Sequence, residues 1–257
     1  MSAMSGLKNT ESAERLGSQS GVFVIAEIGK NFIQTKEEKS VEEYLENAKK
    51  LAYLAKEAGA DAVKFQTHSV EDEQADISVT SPHFSGSDRF SWVTRNTLAT
   101  PLETFWLPLK SYCDDIGITF FTTPMSRGAA ERVASLNVPF WKVGSGDILD
   151  FVLLDYLAGT QKPIIVSTGM STVDELDLAV RFLRERNVSP HLMHCVSRYP
   201  CPPEDLHLGT IGFLRERYSL PVGFSDHSIG WDGVLVAVSL GASIIEKHFS
   251  LSRDLWG

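Results

Sequence analysis

Eight short apolar runs, separated by stretches of helical periodicity, constrain the fold of this chain more than any other feature. Their side chains are mainly β-branched or aromatic, and from the third run onward they recur roughly every 20 to 30 residues. Such runs alternating with amphipathic stretches indicate βα units around a parallel sheet. The runs are VFVIAE (22–27), DAVKFQ (61–66), ITFFTT (118–123), FWKVGS (140–145), PIIVST (163–168), HLMHC (191–195), VGFSDH (222–227) and SIIEKH (243–248).

Two of the intervening stretches carry clear helix signals. Val41 to Ala58 has apolar residues at helical spacing, and Gly59 follows as a stop signal. Thr172 to Arg186 opens with Thr172 and Glu175, the spacing of a capping box. The buried stripe of this second helix is expected to contain Leu176, Leu178, Ala179, Phe182 and Leu183.

Eight strands with helices between them predict a TIM (β/α)8 barrel, and 257 residues is a common size for that fold. A doubly wound open sheet could use the same strands. Such sheets usually carry a glycine-rich GxGxxG turn after the first strand, whereas this chain has EIGKN at 27–31. The barrel is therefore the better interpretation.

The barrel domain is predicted to occupy residues 21–257, after a polar, flexible or capping arm at residues 1–20. The segment from Thr67 to Thr100 is polar and carries no strong period, so we place it as an insert over the active face and as a lid candidate. Nine residues follow His248, so we expect either that the barrel lacks its last helix or that the chain is a fragment.

The composition argues against several partners and compartments. A net charge of −9 and a pI near 5.3 disfavour binding to nucleic acid or to anionic membranes. No apolar run approaches the roughly 20 residues that span a bilayer. The three cysteines form no CxxC pair and the chain has no apolar leader, which indicates a reducing compartment and predicts a cytoplasmic protein.

Polar residues close nearly every apolar run, and the carboxyl ends of barrel strands are where such enzymes hold their catalytic groups. Lysine inside an apolar run is costly without a partner, so Lys64 and Lys142 are expected to be functional. With the hydroxyls of Thr123, Ser145 and Ser225 around them, they would form a compact site for a phosphate and a carboxylate. The other strand-end candidates are Glu27, Gln66, Ser167, His194 and Ser197.

The last two runs predict a metal site. Side chains alternate along a strand, so Ser225 and His227 share one face, as do Glu246 and His248. Two neighbouring strands would then present two imidazoles and a carboxylate at one mouth, which is the beginning of a site for a divalent metal.

Eight short motifs occur in order at barrel spacing: EIG (27–29), VKFQTH (63–68), TTP (122–124), KVGSGD (142–147), STGMST (167–172), HCVSRYP (194–200), GFSDHS (223–228) and EKHF (246–249). Together they resemble the sialic acid synthase family, and the resemblance runs from about residue 22 to the end. It implies condensation of phosphoenolpyruvate with an N-acylated hexosamine, such as an N-acetylmannosamine-like sugar, to give a nonulosonic acid and phosphate. It also implies a homodimer.

The resemblance assigns roles by position. His227 and His248 would bind Mn²⁺ or Mg²⁺, which polarises the aldehyde of the open-chain sugar. Glu27 and Glu246 would orient an imidazole or move a proton. The residues matching phosphoenolpyruvate contacts are Lys64, Thr123, Lys142, Ser145 and Ser225, the two lysines being counted as catalytic. Further substrate-binding candidates are Gln66, Ser167, Ser197 and Tyr199.

The chain also departs from the family pattern. Members commonly have Asn-His after EIG, where this chain has Asn31 and Phe32, which leaves the acceptor sugar open. The Gly-Pro-Asp stretch and the antifreeze-like C-terminal domain usual in the family are not in this sequence. The alternative is therefore a non-catalytic or different-substrate barrel of the same family, binding a sugar or a partner without turnover. A heptulosonate synthase, or an aldolase forming a Schiff base on Lys142 or Lys64, ranks lower.

Overall fold

Eight parallel strands form a nearly closed barrel in this computed structural model, which describes residues 12–16, 21–78 and 88–255. Their order is β3-β2-β1-β8-β7-β6-β5-β4, and β3 and β4 pack side by side where the barrel closes. The prediction of a TIM barrel is thus confirmed. The strands are β1 Phe23–Gly29, β2 Ala62–Thr67, β3 Thr119–Pro124, β4 Trp141–Val143, β5 Ile164–Ser167, β6 His191–Cys195, β7 Val222–Asp226 and β8 Ile244–His248.

Helices cover the outside of the barrel. They are α1 Val41–Glu57, α2 Val70–Glu73, α3 Arg89–Ala99, α4 Leu107–Ile116, α5 Arg127–Arg132, α6 Phe151–Gly159, α7 Val173–Arg184, α8 Thr210–Tyr218 and α9 Asp232–Ser239. A π-helical turn, Leu102–Trp106, leads into α4. Residues 249–255, after β8, contain no helix. No helix in the described part of the chain is long and apolar enough to cross a membrane.

The two helices with the clearest sequence signals form as predicted. α1 ends just before Gly59, whose φ of +90° suits glycine. Thr172 caps α7, and both hydrogen bonds of its capping box with Glu175 are present. The prediction that Leu178 is buried was wrong, because its side chain is 43% exposed. Val180 takes its place, since the buried face repeats three, four and seven positions after Leu176.

The insert after β2 is more regular than the sequence indicated. Its sequence carries no strong period, yet α3 forms there and buries Trp92, Val93, Asn96 and Ala99. Asp88 caps this helix by accepting a hydrogen bond from the Ser91 amide. Residues 79–87 of the predicted lid lie outside the described residues, so the lid role stays a prediction.

Part of the predicted N-terminal arm packs on the barrel. Residues 12–15 form a helical turn, and Leu16 is buried in the core. Arg15 forms an ion pair of 2.6 Å with Asp61, next to the start of β2. Residues 1–11 and 17–20 of the arm lie outside the described residues, and the proposed boundary at residue 20 stays a prediction.

An apolar floor closes the barrel below its carboxyl-terminal mouth. Phe23 on β1, Phe121 on β3 and Phe140 before β4 are almost fully buried. The Phe140 ring lies 5.9 Å from that of Phe23 and 4.6 Å from that of Phe121, measured between centroids. This packing leaves polar side chains at the mouth, where the register places Glu27 beside both Lys64 and His248.

Candidate active site

All the site residues predicted from the sequence, except His194, line one cavity of about 470 Å³ at the carboxyl ends of the strands. They are Glu27, Lys64, Gln66, Thr123, Lys142, Ser145, Ser167, Ser197, Tyr199, Ser225, His227, Glu246 and His248. The carboxyl ends of parallel barrel strands meet at one face, which is why residues so distant in sequence converge. Their chemical roles remain predictions.

Lys64 is the centre of a buried ionic network in this cavity. Its Nζ lies 2.6 Å from Glu27 Oε2 and 3.7 Å from Glu246 Oε1, and it donates a hydrogen bond of 2.9 Å to Thr123 Oγ1. Burial would lower the pKa of Lys64, but the carboxylates of Glu246 and Glu27 outweigh it and raise the pKa above its ordinary value. Lys64 therefore stays cationic across the physiological pH range.

Lys142 is less fully compensated. Its Nζ donates to Ser167 Oγ at 2.7 Å and lies 3.8 Å from Glu246 Oε1. Burial lowers the pKa of Lys142, and Glu246 offsets only part of that effect. Glu246 accepts a hydrogen bond of 3.2 Å from Ser225, and its own pKa is lowered because Lys142 and Lys64 outweigh burial. Two buried ammonium groups thus line the cavity, an arrangement suited to an anionic substrate.

Gly169 packs closely between Ser145 and Ser197, and both serines line the cavity. The Gly169 amide donates a hydrogen bond of 3.1 Å to Ser145 Oγ. A Cβ atom at Gly169 would lie 2.6 Å from Ser197 Oγ and 2.7 Å from Ser145 Oγ, so a larger residue would displace both hydroxyls. The close approach keeps two hydroxyl groups available to a ligand's oxygen atoms.

His227 and His248 face each other at the rim, with ring centroids 5.5 Å apart. His227 Nδ1 lies 2.7 Å from the Val196 carbonyl oxygen, so Nδ1 carries a proton; burial lowers the pKa of His227, but Cys195, Val196 and Glu246 outweigh it and raise the pKa above its ordinary value. Burial, reinforced by repulsion from His227 and Lys64, lowers the pKa of His248 to about 4. A neutral imidazole is the form that binds metal ions.

These two imidazoles fit a divalent ion as two of its ligands. Among the described residues, no three His, Cys, Asp or Glu side chains are grouped closely enough to hold a metal alone. Substrate and water oxygens would have to complete the shell, as catalytic sites with open positions require. The metal site therefore stays a prediction that the geometry of His227 and His248 accommodates.

Of three further ring side chains, Tyr199 lines the cavity, whereas His194 and Phe32 do not. His194 does not line the cavity; its Nε2 lies 2.7 Å from the Leu206 carbonyl oxygen in the core. Tyr199 stacks over His227, with ring centroids 3.9 Å apart. Phe32 is 1% exposed and packs against the rings of Tyr44, Phe65 and Phe105, away from the cavity lining.

The cavity residues that sequence reasoning missed include three with titratable side chains, Arg89, Asp147 and Cys195. Asp147 belongs to the KVGSGD motif, from which only Lys142 and Ser145 were predicted, because Asp147 lies in a 3-10 turn beyond the strand end. Its Oδ2 is buried without a hydrogen-bond partner among the described residues. Burial, together with the neighbouring carboxylates of Asp150 and Glu73, raises the pKa of Asp147 to about 7.

Asp147→Asn is expected to stabilise the protein more at pH 8 than at pH 5. The pKa of Asp147 rises from 3.8 to about 7 on folding, so the folded state holds a proton that the unfolded chain releases. Stability is therefore lost as pH rises through this window, and a neutral amide avoids the loss. Thermal unfolding at the two pH values measures the effect, with Asp174→Asn at the exposed start of α7 as the control for removing one charge. An equal change at both pH values would contradict the assignment.

Comparison with known proteins adds independent evidence. The model of the NeuB family matches residues 51–257. The chain is 37% identical over 243 residues to an uncharacterized protein of Methanocaldococcus jannaschii, covering 94% of this chain and 66% of that protein. It is 34% identical over 242 residues to the N-acetylneuraminate-9-phosphate synthase of Drosophila melanogaster, covering 92% of this chain and 62% of that protein. This chain thus spans less than two thirds of both relatives.

A solved structure of a sialic acid synthetase is also similar to this chain. The crystal structure of the N-acetylneuraminic acid (sialic acid) synthetase of Leptospira borgpetersenii, in complex with citrate, matches with a TM-score of 0.78 and 30% sequence identity. The match covers 91% of this chain and 75% of that one. The likeness thus extends over nearly all of the barrel.

Proposed function

Because this chain belongs to the NeuB family, we propose that it condenses phosphoenolpyruvate with an N-acylated hexosamine to give a nonulosonic acid and phosphate. The observation that carries the proposal is the convergence of Lys64, Lys142 and several hydroxyl groups beside two facing imidazoles in one cavity. The names of similar proteins, sialic acid synthetase and N-acetylneuraminate-9-phosphate synthase, agree with this reaction class.

The two lysines suit the anionic substrate. Phosphoenolpyruvate carries a phosphate and a carboxylate, and Lys64 and Lys142 present two buried ammonium groups to the mouth. Thr123, Ser145 and Ser225 would donate further hydrogen bonds to its oxygens, in a site where low exposure strengthens each contact. Ser167 holds Lys142, and Ser197 lies beside Ser145 across Gly169.

The acceptor would bind between this anion site and the rim. Gln66, whose amide lies 3.4 Å from Glu27 Oε1, and Tyr199, stacked on His227, are the proposed sugar contacts. A divalent ion, Mn²⁺ or Mg²⁺, held by His227 and His248 would supply a Lewis acid for the acceptor aldehyde. Carbon C3 of phosphoenolpyruvate attacks that aldehyde, water adds at C2, and phosphate leaves.

Glu27 is the proposed proton carrier for the water step. Burial raises the pKa of Glu27, Lys64 opposes this, and Glu246 adds to it, which makes this carboxylate a stronger base than an ordinary one. Its position beside Lys64 and in register with His248 supports a role between the two substrates. Such a carboxyl group can take a proton from the attacking water and return it to the departing phosphate.

We also propose, from the family resemblance, that the protein is a cytoplasmic homodimer.

Incubating the purified chain with phosphoenolpyruvate, Mn²⁺ and a panel of N-acylated hexosamines tests the proposal. We expect phosphate release that requires both substrates, and a product whose mass equals their sum plus water minus phosphoric acid. Product formation would exclude the non-catalytic alternative. Binding of phosphoenolpyruvate without release with any acceptor would support that alternative, and no binding at all would contradict the proposed anion site.

A further inference from the structure

A buried ion pair joins the carboxyl ends of β7 and β8, and the proposed chemistry does not use it. Asp226 closes β7, Lys247 is the last residue but one of β8, and the strand register places the two side by side. Lys247 Nζ forms an ion pair with Asp226 Oδ2. The Asp226 side chain is fully buried, whereas that of Lys247 is 34% exposed. Neither residue lines the candidate active-site cavity.

This pair directly precedes the two proposed metal ligands. His227 follows Asp226 in the chain, and His248 follows Lys247. Side chains alternate along a strand, so the ion pair lies on the face opposite to the two imidazoles, which line the cavity. The contact that joins the strands therefore acts on the backbone from which both imidazoles project.

The ion pair also holds the turn that carries His227. Asp226 Oδ1 accepts a hydrogen bond of 2.8 Å from the Ser228 amide, and Lys247 Nζ donates one of 2.9 Å to the Ser228 carbonyl oxygen. The residues on both sides of His227 are thus bonded to the same ion pair. The His227 carbonyl oxygen itself accepts a hydrogen bond of 2.9 Å from the Cys201 amide. Together these bonds fix the backbone of His227.

The end of β8 is fixed on its other side by β1 and the segment after it. The Phe249 amide donates a hydrogen bond of 2.8 Å to the Glu27 carbonyl oxygen, and Asn31 Nδ2 donates one of 2.7 Å to the Phe249 carbonyl oxygen. His248 lies between Phe249 and Lys247 in the chain. Its backbone is therefore held toward β1 by one neighbour and toward β7 by the other.

Stability alone does not account for a buried ion pair at this place. Taking a carboxylate and an ammonium group out of water is costly, and two apolar side chains of similar volume are often equally stable or more stable. An ion pair with hydrogen bonds adds a defined geometry, because those bonds need particular distances and angles. Groups that orient metal-binding imidazoles are of this kind, and their loss weakens metal affinity by roughly 10- to 100-fold.

We infer that Asp226 and Lys247 are positioning residues, which set the separation and orientation of His227 and His248 for a divalent ion. This inference rests on the proposed function, which gives the two imidazoles that role. The ring centroids lie 5.5 Å apart, and the described residues offer no group of three His, Cys, Asp or Glu side chains for a metal. A displaced imidazole would therefore have no third protein ligand to compensate for it.

Mn²⁺ titration of a double variant tests the inference. Asp226→Leu combined with Lys247→Met approximately keeps the side-chain volumes and leaves neither charge unpaired, so the fold should persist. We expect its Kd for Mn²⁺, measured by calorimetry, to rise about tenfold or more. Its Kd for phosphoenolpyruvate in the absence of Mn²⁺ should stay unchanged, because neither variant position lines the cavity.

The matched control removes another lysine and aspartate pair, far from the mouth. Lys110→Met combined with Asp114→Leu deletes the 2.6 Å ion pair on α4 and should bind Mn²⁺ as the wild type does. Thermal unfolding compares the stability of the two double variants. If the Asp226 and Lys247 double variant does not fold, Asp226→Asn carries the same expectation, since it removes the charge and keeps an acceptor for the Ser228 amide.

Two further measurements separate positioning from a general loosening of the fold. Turnover of the double variant should be low at the Mn²⁺ concentration that saturates the wild type and should recover as Mn²⁺ is raised. Lys247→Arg keeps the charge and can pair with the same carboxylate, so it should retain Mn²⁺ affinity. Wild-type Mn²⁺ affinity in the double variant would overturn the inference, as would a loss in Lys247→Arg as large as in the double variant.

Failure of the inference is distinguishable from failure of the proposed function. If the wild type binds no Mn²⁺, the metal role in the proposed function fails, and nuclear magnetic resonance of the metal-free protein decides the inference. We expect the ring signals of His227 and His248 to shift or broaden in the Asp226 and Lys247 double variant but not in the α4 control. Ring signals that stay the same in both would overturn the positioning role.

Discussion

Lys64→Met is expected to abolish phosphoenolpyruvate binding and to destabilise the barrel by about 3–5 kcal/mol. The Lys64 side chain is 3% exposed and pairs with Glu27 at 2.6 Å and with Glu246 at 3.7 Å. Its removal leaves the buried Glu27 without its ion-pair partner and Glu246 with only Lys142, 3.8 Å away, which is costlier than losing the pair as a whole. The same carboxylates would then repel an incoming phosphate. Calorimetric titration with phosphoenolpyruvate and urea unfolding measure the two effects.

Two further variants separate binding from stability. Lys64→Met combined with Glu27→Gln should recover part of the lost stability, since one unpaired carboxylate is gone, but none of the binding. Lys110→Met removes another buried lysine, whose Nζ lies 2.6 Å from Asp114 Oδ2 on α4, and should cost stability while phosphoenolpyruvate still binds. Binding that survives in Lys64→Met would refute the anion site at the mouth.

The barrel and most of the residues at its mouth were predictable because two local sequence signals specify them. Short β-branched and aromatic runs specify strands, and a polar residue at the end of each run specifies the mouth once the strands are parallel. Lys64 and Lys142 were recognisable for a further reason, since an ammonium group inside an apolar run needs a buried partner. Both lysines have such partners, in Glu27 and Glu246.

The insert was not predictable from local patterns because long-range contacts stabilise it. Arg132 on α5 donates to the carbonyl oxygens of His68, Thr97 and Thr100, at 2.8, 2.8 and 2.9 Å. Arg95 on α3 donates to the carbonyl oxygens of residues 35–37, after β1. These bonds tie α3 to α5 and to the segment after β1, and Arg89 at the start of α3 lines the cavity.

The environments of side chains outside the strand ends could not be predicted from the sequence pattern either. Lys30 contacts the ring of Trp92, which is 62 positions away in the chain. Asp147 is perturbed by Asp150 and Glu73, of which only the first is a sequence neighbour. Phe32 was interpreted as the loss of a polar contact near the sugar, and its burial among three aromatic rings explains the residue by packing instead.

His227→Ala and His248→Ala are each expected to reduce turnover by about 10³-fold or more while the fold and phosphoenolpyruvate binding survive. The two rings face each other at the rim, away from the apolar floor, so their removal takes little from the core. The hydrogen bond from His227 Nδ1 to Val196 and the neutral state of His248, whose pKa burial lowers to about 4, suit a ligand role. Loss of a Lewis acid slows attack on the aldehyde without weakening the lysine site, so kcat should fall and the affinity for phosphoenolpyruvate should not.

His207→Asn is the matched control, because His207 is an exposed histidine whose positive φ asparagine tolerates. It should keep full activity, and Mn²⁺ titrated by calorimetry should bind the control and the wild type but neither alanine variant. Full turnover in both alanine variants would refute the metal site. Lost turnover with undiminished Mn²⁺ binding would instead place the two imidazoles in proton transfer, and the metal, if the reaction needs one, would then lie elsewhere in the mouth.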